Sequence, residues 1–189
     1  MVYMNTLHYT VSTGQLATDL SLAVSGGYIK TIPIGGEWGA YKGTGFALDS
    51  CSPDGGRFHL PLQTGYYFGS GERCCFNECR QNVIGKVFCR TQPVEIKAFD
   101  LHAFASDFGY GDLFVQSEAS GGYDAPRYAA QFIQQQFNVT GIMYESYAMK
   151  TIGDSSLCLA ILPNSGQTFS TSIYVLNSGA FATSSSIFF

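Results

Sequence analysis

GGRFHLPLQTGYYFGSGERCCFNE, residues 55–78, reads as a loop, a short strand and a helix that between them carry an arginine, a tyrosine and a glutamate. Gly55 and Gly56 can take backbone conformations closed to other residues and let a ligand approach the main chain. The Arg57 guanidinium that follows can grip a phosphate through two oxygens. Tyr66, Tyr67 and Phe68 form an aromatic strand ending at Gly69. Ser70 is expected to cap a helix starting at Gly71 and Glu72, where a carboxylate favours the positive end of the helix dipole. On that helix Cys74 and Cys75 lie four and three residues before Glu78, so all three share a face. Because cysteine tends to be buried, Glu78 is expected to point inward, toward the core or a cleft. The combination suits an anionic, ring-bearing ligand. The structural alternative makes Arg57 a solvated turn residue, Tyr67 a core residue and Glu78 the ion-pair partner of Arg57 or Arg73.

Charge is distributed unevenly around this stretch. The net charge is −4, which gives no global field for nucleic acid or an anionic membrane. Yet eight of the ten basic residues fall between Lys30 and Lys97, and Asp100, Asp107, Asp112, Glu118 and Asp124 follow as an acidic run. A local positive region therefore surrounds Arg57. A chain of 189 residues suits one domain, 1–189, with a real hydrophobic core. Low charge with abundant glycine and aromatic residues favours a strand- and loop-rich fold over a helical bundle. No stretch is apolar enough for a spanning helix, and the N-terminal residues lack the basic and apolar regions of a signal peptide. Six cysteines (Cys51, Cys74, Cys75, Cys79, Cys89, Cys158), three of them on one expected helix, are read as reduced thiols of a cytoplasmic protein. Their spacing, and that of His8, His59 and His102, matches no metal site. Each histidine is read as structural, although His59 stands close enough to Arg57 to reach the same site.

Working outward, residues 1 to about 50 are expected to be irregular β structure with one short helix, including a strand at Leu7–Val11 and turns at the glycine pairs 26–27 and 35–36. Trp38 is placed in the core. Val94 to Ala98 alternates with period two, as a half-buried strand does. Residues 104–123 have no clear period and are expected to be a long loop. Asp124 and Pro126 open a helix, with Asp124 as cap, Ala129, Ala130, Ile133 and Phe137 on its apolar side and residues 134–136 facing solvent. Strands follow at Gly141–Tyr144, Leu157–Leu162 and Thr171–Leu176, the second apolar throughout, as a central strand covered on both faces should be. The tail from Ser178 is read as frayed or docked on an edge.

The order of helix, Thr140-Gly-Ile-Met-Tyr-Glu-Ser146 and apolar strand over residues 132–162 resembles the RES domain. In that family an early Gly-Arg-Phe is matched by Gly56-Arg57-Phe58. Its tyrosine eleven residues before an inward glutamate is matched by Tyr67 and Glu78, and its Gly-Ile-x-Tyr-x-Ser by Gly141 to Ser146. The likeness is clearest over residues 45–162. Thr140 replaces the family's usual aspartate, and Cys74, Cys75, Phe76 and Asn77 replace an alanine-rich turn.

The resemblance implies an α+β fold like that of ADP-ribosyltransferases, with a mixed sheet and a few flanking helices. It implies action on NAD⁺ as substrate, with inorganic phosphate as a potential co-substrate, and no cofactor or metal. It also implies a toxin of a bacterial toxin–antitoxin pair, neutralised by an antitoxin with a helix-turn-helix domain. No direct contact with nucleic acid or membrane is expected, and self-association is left open. Carried over, Arg57, Tyr67, Glu78 and Ser146 form the active-site set, with Gly56, Phe58 and Tyr144 as further substrate contacts. Arg57 would take the pyrophosphate, Tyr67 would flank the nicotinamide ribose, Glu78 would stabilise an oxocarbenium-like transition state, and Ser146 would bond ribose or phosphate. Arg127 and Tyr128 could support the phosphate end, against a solvated helix face. Water, phosphate or a protein side chain as acceptor would make the reaction hydrolysis, phosphorolysis or ADP-ribosylation. Two other classes remain beside this: a catalytically silent binding module, and a secreted, disulfide-bonded β-rich protein.

Overall fold

Two periodicities in the sequence build the sheet and its helical cover. The computed structural model describes residues 3–5, 10–34, 38–42, 49–51, 55–79, 87–90, 93–111, 113–115, 122–163, 175–176 and 186–187. A small hairpin pairs β1 (Tyr3–Asn5) with β2 (Thr10–Ser12) and leads into α1 (Thr13–Ser25). Next come β3 (Ile29–Ile34), β4 (Trp38–Lys42), β5 (Asp49–Cys51), β6 (Thr64–Ser70), α2 (Glu72–Cys79), β7 (Val87–Arg90), β8 (Val94–Asp100) and α3 (Leu101–Asp107). The chain continues through α4 (Asp124–Phe137), β9 (Gly141–Glu145), α5 (Tyr147–Lys150), β10 (Leu157–Ile161), β11 (Val175–Leu176) and β12 (Ser186–Ile187). Ten strands form one sheet, ordered β12-β11-β7-β4-β6-β10-β9-β8-β3, with β5 also paired to β6. All pairs are antiparallel except β8 with β9, so the sheet is mixed and the fold is α+β, as expected.

Alternation along the central strands separates two apolar layers. On β10, Cys158 and Ala160 face the layer that holds the helices, whereas Leu159 and Ile161 face the other. On β9, Ile142 and Tyr144 join the first and Met143 the second. The first layer is closed by Leu16 and Leu20 of α1, Leu101 and Phe104 of α3, and Ala129 and Ile133 of α4, all at most 1% exposed. Burial of each such large side chain contributes about 1.5 to 3 kcal/mol.

Several local expectations are corrected. The helix near the N-terminus has 13 residues and is not short, because Ser12 caps it by accepting from the Gln15 amide and Leu16, Leu20 and Ala23 line one face. Residues 6–9, 35–37 and most of the tail lie outside those described, as does the start of the strand expected at Thr171; Val175–Leu176 and Ser186–Ile187 pair at the sheet edge. The loop expected from Phe104 is in part a helix: the Asp100 carboxylate, also ion-paired to Lys30, accepts from the Ala103 amide and starts α3. Asp124 is the first helical residue of α4 and not its cap; Tyr123 holds the cap position without a side-chain bond. Gln134 is half-buried and donates to the Pro163 carbonyl at 2.5 Å, so it does not simply face solvent. Trp38 is half-buried against the second layer, consistent with a core role. No helix among the described residues is long and apolar enough to cross a membrane.

Candidate functional site

The register of four adjacent strands lays out the floor of the site. Gly39 of β4 stands opposite Gly69 of β6, Gly69 opposite Cys158 of β10, and Cys158 opposite Tyr144 of β9. Residues directly opposite project to the same side. Two glycines and a cysteine in that row leave a trough beside the Tyr144 ring, and all four residues line a cavity of about 290 Å³ together with Arg57, Tyr67 and Glu78. Gly69 also admits the helix above it. A Cβ there would stand 2.7 Å from Cys75 Sγ and 3.1 Å from Cys74 Sγ, closer than packed atoms tolerate.

Helix α2 delivers Glu78. Its cap position falls one residue later than expected: the Gly71 carbonyl, at φ 111°, accepts the Cys75 amide, and the Ser70 hydroxyl instead accepts the Leu157 amide across the sheet. Cys74 and Cys75 are buried. One turn further on, the helix clears the sheet, so Glu78 is exposed and enters the cleft instead of the core. Ser146 Oγ donates to Glu78 Oε1 at 2.5 Å. Neither ion pair of the structural alternative occurs among the described residues, and Arg73 instead pairs with Asp154 at 2.8 Å.

Ser146 lies behind Glu78. It is 0% exposed, caps α5 by accepting the Met149 amide at 3.1 Å, and uses its own hydrogen on Glu78. The expected contact between Ser146 and ribose or phosphate is therefore corrected: the hydroxyl is enclosed and engaged, and it fixes the carboxylate that faces the cleft.

Across the trough, Arg57 is held by neutral groups. Nη1 donates to the Phe114 carbonyl at 3.1 Å, and the guanidinium lies 5.5 Å from the Tyr123 ring and 5.6 Å from the Tyr144 ring. Such cation–π contacts are worth about 0.5 to 2 kcal/mol and are not accompanied by a carboxylate partner among the described residues. Arg127 lies 5.4 Å from the same Tyr123 ring and donates through Nε to the Gly56 carbonyl at 2.9 Å, so it supports the Arg57 loop and is not a solvated helix residue. Tyr128 donates to the Thr13 carbonyl and ties α4 to α1.

Tyr67 lines the cleft, and its oxygen accepts the Phe58 amide at 3.0 Å. Burial pushes the phenols of Tyr67 and Tyr144 above their ordinary value, so both stay protonated at neutral pH. Gly56 and Phe58 do not line the cavity. A Cβ on Gly56 would stand 2.9 Å from the Tyr67 oxygen, and Phe58 packs its ring 4.7 Å from that of Tyr144, so both shape the wall from behind.

Cys74, Cys75 and Cys158, close to Glu78, form no disulfide among the described residues. Cys74 and Cys158 stand 3.7 Å apart, sulfur to sulfur. The hydrogen bond between Cys74 and Cys158 lowers the Cys74 thiol, while that bond and burial hold Cys158, which lines the cleft, well above the ordinary thiol range. Cys75 is pushed up to about 12 by burial. A protonated Cys158 is no nucleophile at neutral pH. The cleft therefore offers one carboxylate, one guanidinium and aromatic walls.

Sequence reasoning missed Tyr123, Gly39 and Cys158 as cleft residues. Only the strand register marks the latter two, and nothing local marks Tyr123.

No protein-family model matches this chain, and no curated protein matches it. Among solved structures, it is similar to a chain in the crystal structure of the M. tuberculosis MbcT–MbcA toxin–antitoxin complex, with a TM-score of 0.50 and 12% sequence identity over 92% of each chain. At that identity the likeness is one of fold.

Proposed function

We propose that this cleft cleaves the bond between nicotinamide and ribose in NAD⁺ and that the chain acts as the toxin of a toxin–antitoxin pair. The observation that carries the proposal is the pairing, across one trough, of a carboxylate fixed by a serine and a guanidinium without a carboxylate partner among the described residues. The sequence likeness to the RES domain points to NAD⁺. The shared fold with a chain of a toxin–antitoxin complex supports the toxin reading and an antitoxin partner, for which a helix-turn-helix protein is the family expectation.

Arg57 takes the pyrophosphate, with two nitrogens available to two oxygens. The rings of Tyr67 and Tyr144 flank the nicotinamide riboside. As the neutral nicotinamide leaves, positive charge grows on the ribose, and Glu78 stabilises it and holds the ribose hydroxyls. Ser146 is a positioning residue that keeps the carboxylate in place. Attack at C1′ by water gives ADP-ribose, nicotinamide and a proton, and attack by phosphate gives the 1-phosphate of ADP-ribose and nicotinamide. Glu78 is exposed, which also leaves room for a protein side chain as acceptor, the alternative outcome.

The test is incubation of the purified chain with NAD⁺, with and without inorganic phosphate, identifying both products and using Glu78→Ala as control. Release of nicotinamide that depends on Glu78 supports the proposal, and the sugar product identifies the acceptor. Intact NAD⁺ in both buffers, with no ADP-ribose transferred to protein, would leave a silent binding module.

A further inference from the structure

Behind Tyr67 stands a histidine that the cleft chemistry does not use. His59 is 3% exposed, its Nδ1 lies 2.8 Å from the Tyr67 oxygen, and its buried Nε2 has no partner among the described residues. The same phenolic oxygen accepts the Phe58 amide. Two glycines close on the imidazole: a Cβ at Gly56 would stand 2.3 Å from His59 Cε1, and one at Gly65 3.3 Å from Nδ1. The ring is fitted to this place and has little freedom to turn.

Burial, with the Arg127 charge, lowers the basicity of His59, so the ring is neutral and carries one N–H. Two arrangements fit. If Tyr67 donates to Nδ1, the imidazole hydrogen sits on Nε2 as a buried donor with no acceptor, and Tyr67 offers the cleft only a lone pair. If Nδ1–H donates to Tyr67, that oxygen is filled by two donors, His59 and Phe58. The phenolic hydrogen then turns away from both donors, on a residue that lines the cleft, and Nε2 leaves a lone pair unmet instead of an N–H. Among backbone groups of native interiors an orphaned N–H is rarer than an unmet acceptor, and the same preference carried to the imidazole favours the second arrangement.

We propose that His59 is a positioning residue which, protonated on Nδ1, fills the remaining acceptor site of Tyr67 and directs the phenolic hydrogen into the cleft as a donor to a ribose or phosphate oxygen of the substrate. The second half of this statement rests on the proposed reading of the cleft as the NAD⁺ site; the tautomer does not.

Two measurements test it separately. Ring-nitrogen NMR of the full chain labelled on histidine, with the signal of His59 assigned by its loss in His59→Asn, should show a protonated Nδ1 and a bare Nε2. A protonated Nε2 would overturn the proposal whether or not the protein turns over NAD⁺. In nicotinamide release, His59→Phe fills the space without a nitrogen and should lower kcat/KM about fivefold to tenfold, the scale of one net hydrogen bond. His59→Asn, whose amide can donate in place of Nδ1, should stay within about threefold of the parent on the same scale. In a Tyr67→Phe background the two variants should be equal. Equal losses in both single variants, each checked by its melting transition, would reduce His59 to a packing residue and overturn the positioning role; if His59→Phe does not fold, loss of the Asn rescue does so alone.

Discussion

The two charged ends of the cleft are built on opposite plans. Glu78 is exposed, at the end of a short helix, and its shortest bond comes from a serine that is 0% exposed and itself tied to a helix cap. Arg57 sits on a loop with partners that spread over a carbonyl and two rings from separate parts of the chain. The carboxylate is oriented by two donors converging on one oxygen, the short Ser146 bond and a longer one from the Cys158 thiol at 3.9 Å, and the guanidinium by surfaces. In neither case does an opposite charge among the described residues hold the group, which a structural ion pair would withdraw from a ligand. A single support removed should thus disturb the carboxylate end more than the loss of one ring disturbs the guanidinium end.

Predictions that break or sharpen this contrast run from binding to stability. Arg57→Lys keeps the charge but loses the planar fork and its stacking, and should weaken NAD⁺ binding about 10- to 100-fold, the range of charge-assisted hydrogen bonds, with little change in the rate of bound substrate. Titration calorimetry beside steady-state kinetics separates the two. Ser146→Ala removes the shorter bond to Glu78 and uncaps α5 at once, so turnover should fall about tenfold while the protein loses about 1 kcal/mol, read by denaturant unfolding. An Arg57-like loss of binding in this variant would erase the distinction between the ends. The smallest effect is on pH dependence. The basicity of His59 is lowered in the fold, so its contribution to stability is intact above the ordinary value of 6.5 and lost as pH falls through it, because the unfolded chain takes up the proton first. His59→Asn should remove that part of the acid slope in unfolding measured between the two sides of this value; an unchanged slope would assign it elsewhere.

How far the sequence carries the fold can be traced element by element. Strand β10 was legible because Leu157 to Ile161 is apolar throughout and lies between two neighbours, and α4 because Ala129, Ala130 and Ile133 repeat at helical spacing. Helix α1 was underread: Leu16, Leu20 and Ala23 do mark a face, and Ser12 three residues before Gln15 is a start signal, but threonines and serines between them dilute both. In α3, Asp100 ends a strand, pairs with Lys30 and caps a helix, and three roles on one residue leave no distinct local pattern. Within the site, Arg57, Tyr67, Glu78 and Tyr144 do line one cleft. Ser146 was expected with them only through the resemblance to the RES domain, which did not place it behind Glu78, although a serine between a strand and a helical turn is also a cap signal. Gly39, Gly69 and Cys158 form a floor only through long-range register, which no local pattern encodes.

Glu78→Gln keeps the shape of the side chain and removes only the charge at the serine-held end of the cleft. Measured side by side, NAD⁺ binding by this variant should stay within about threefold of the parent while nicotinamide release falls at least about 100-fold, the scale seen when a preorganised group that stabilises transition-state charge is lost. Release retained by Glu78→Gln, or lost only in proportion to binding, would contradict a cleft in which Glu78 does the chemistry and Arg57 holds the substrate.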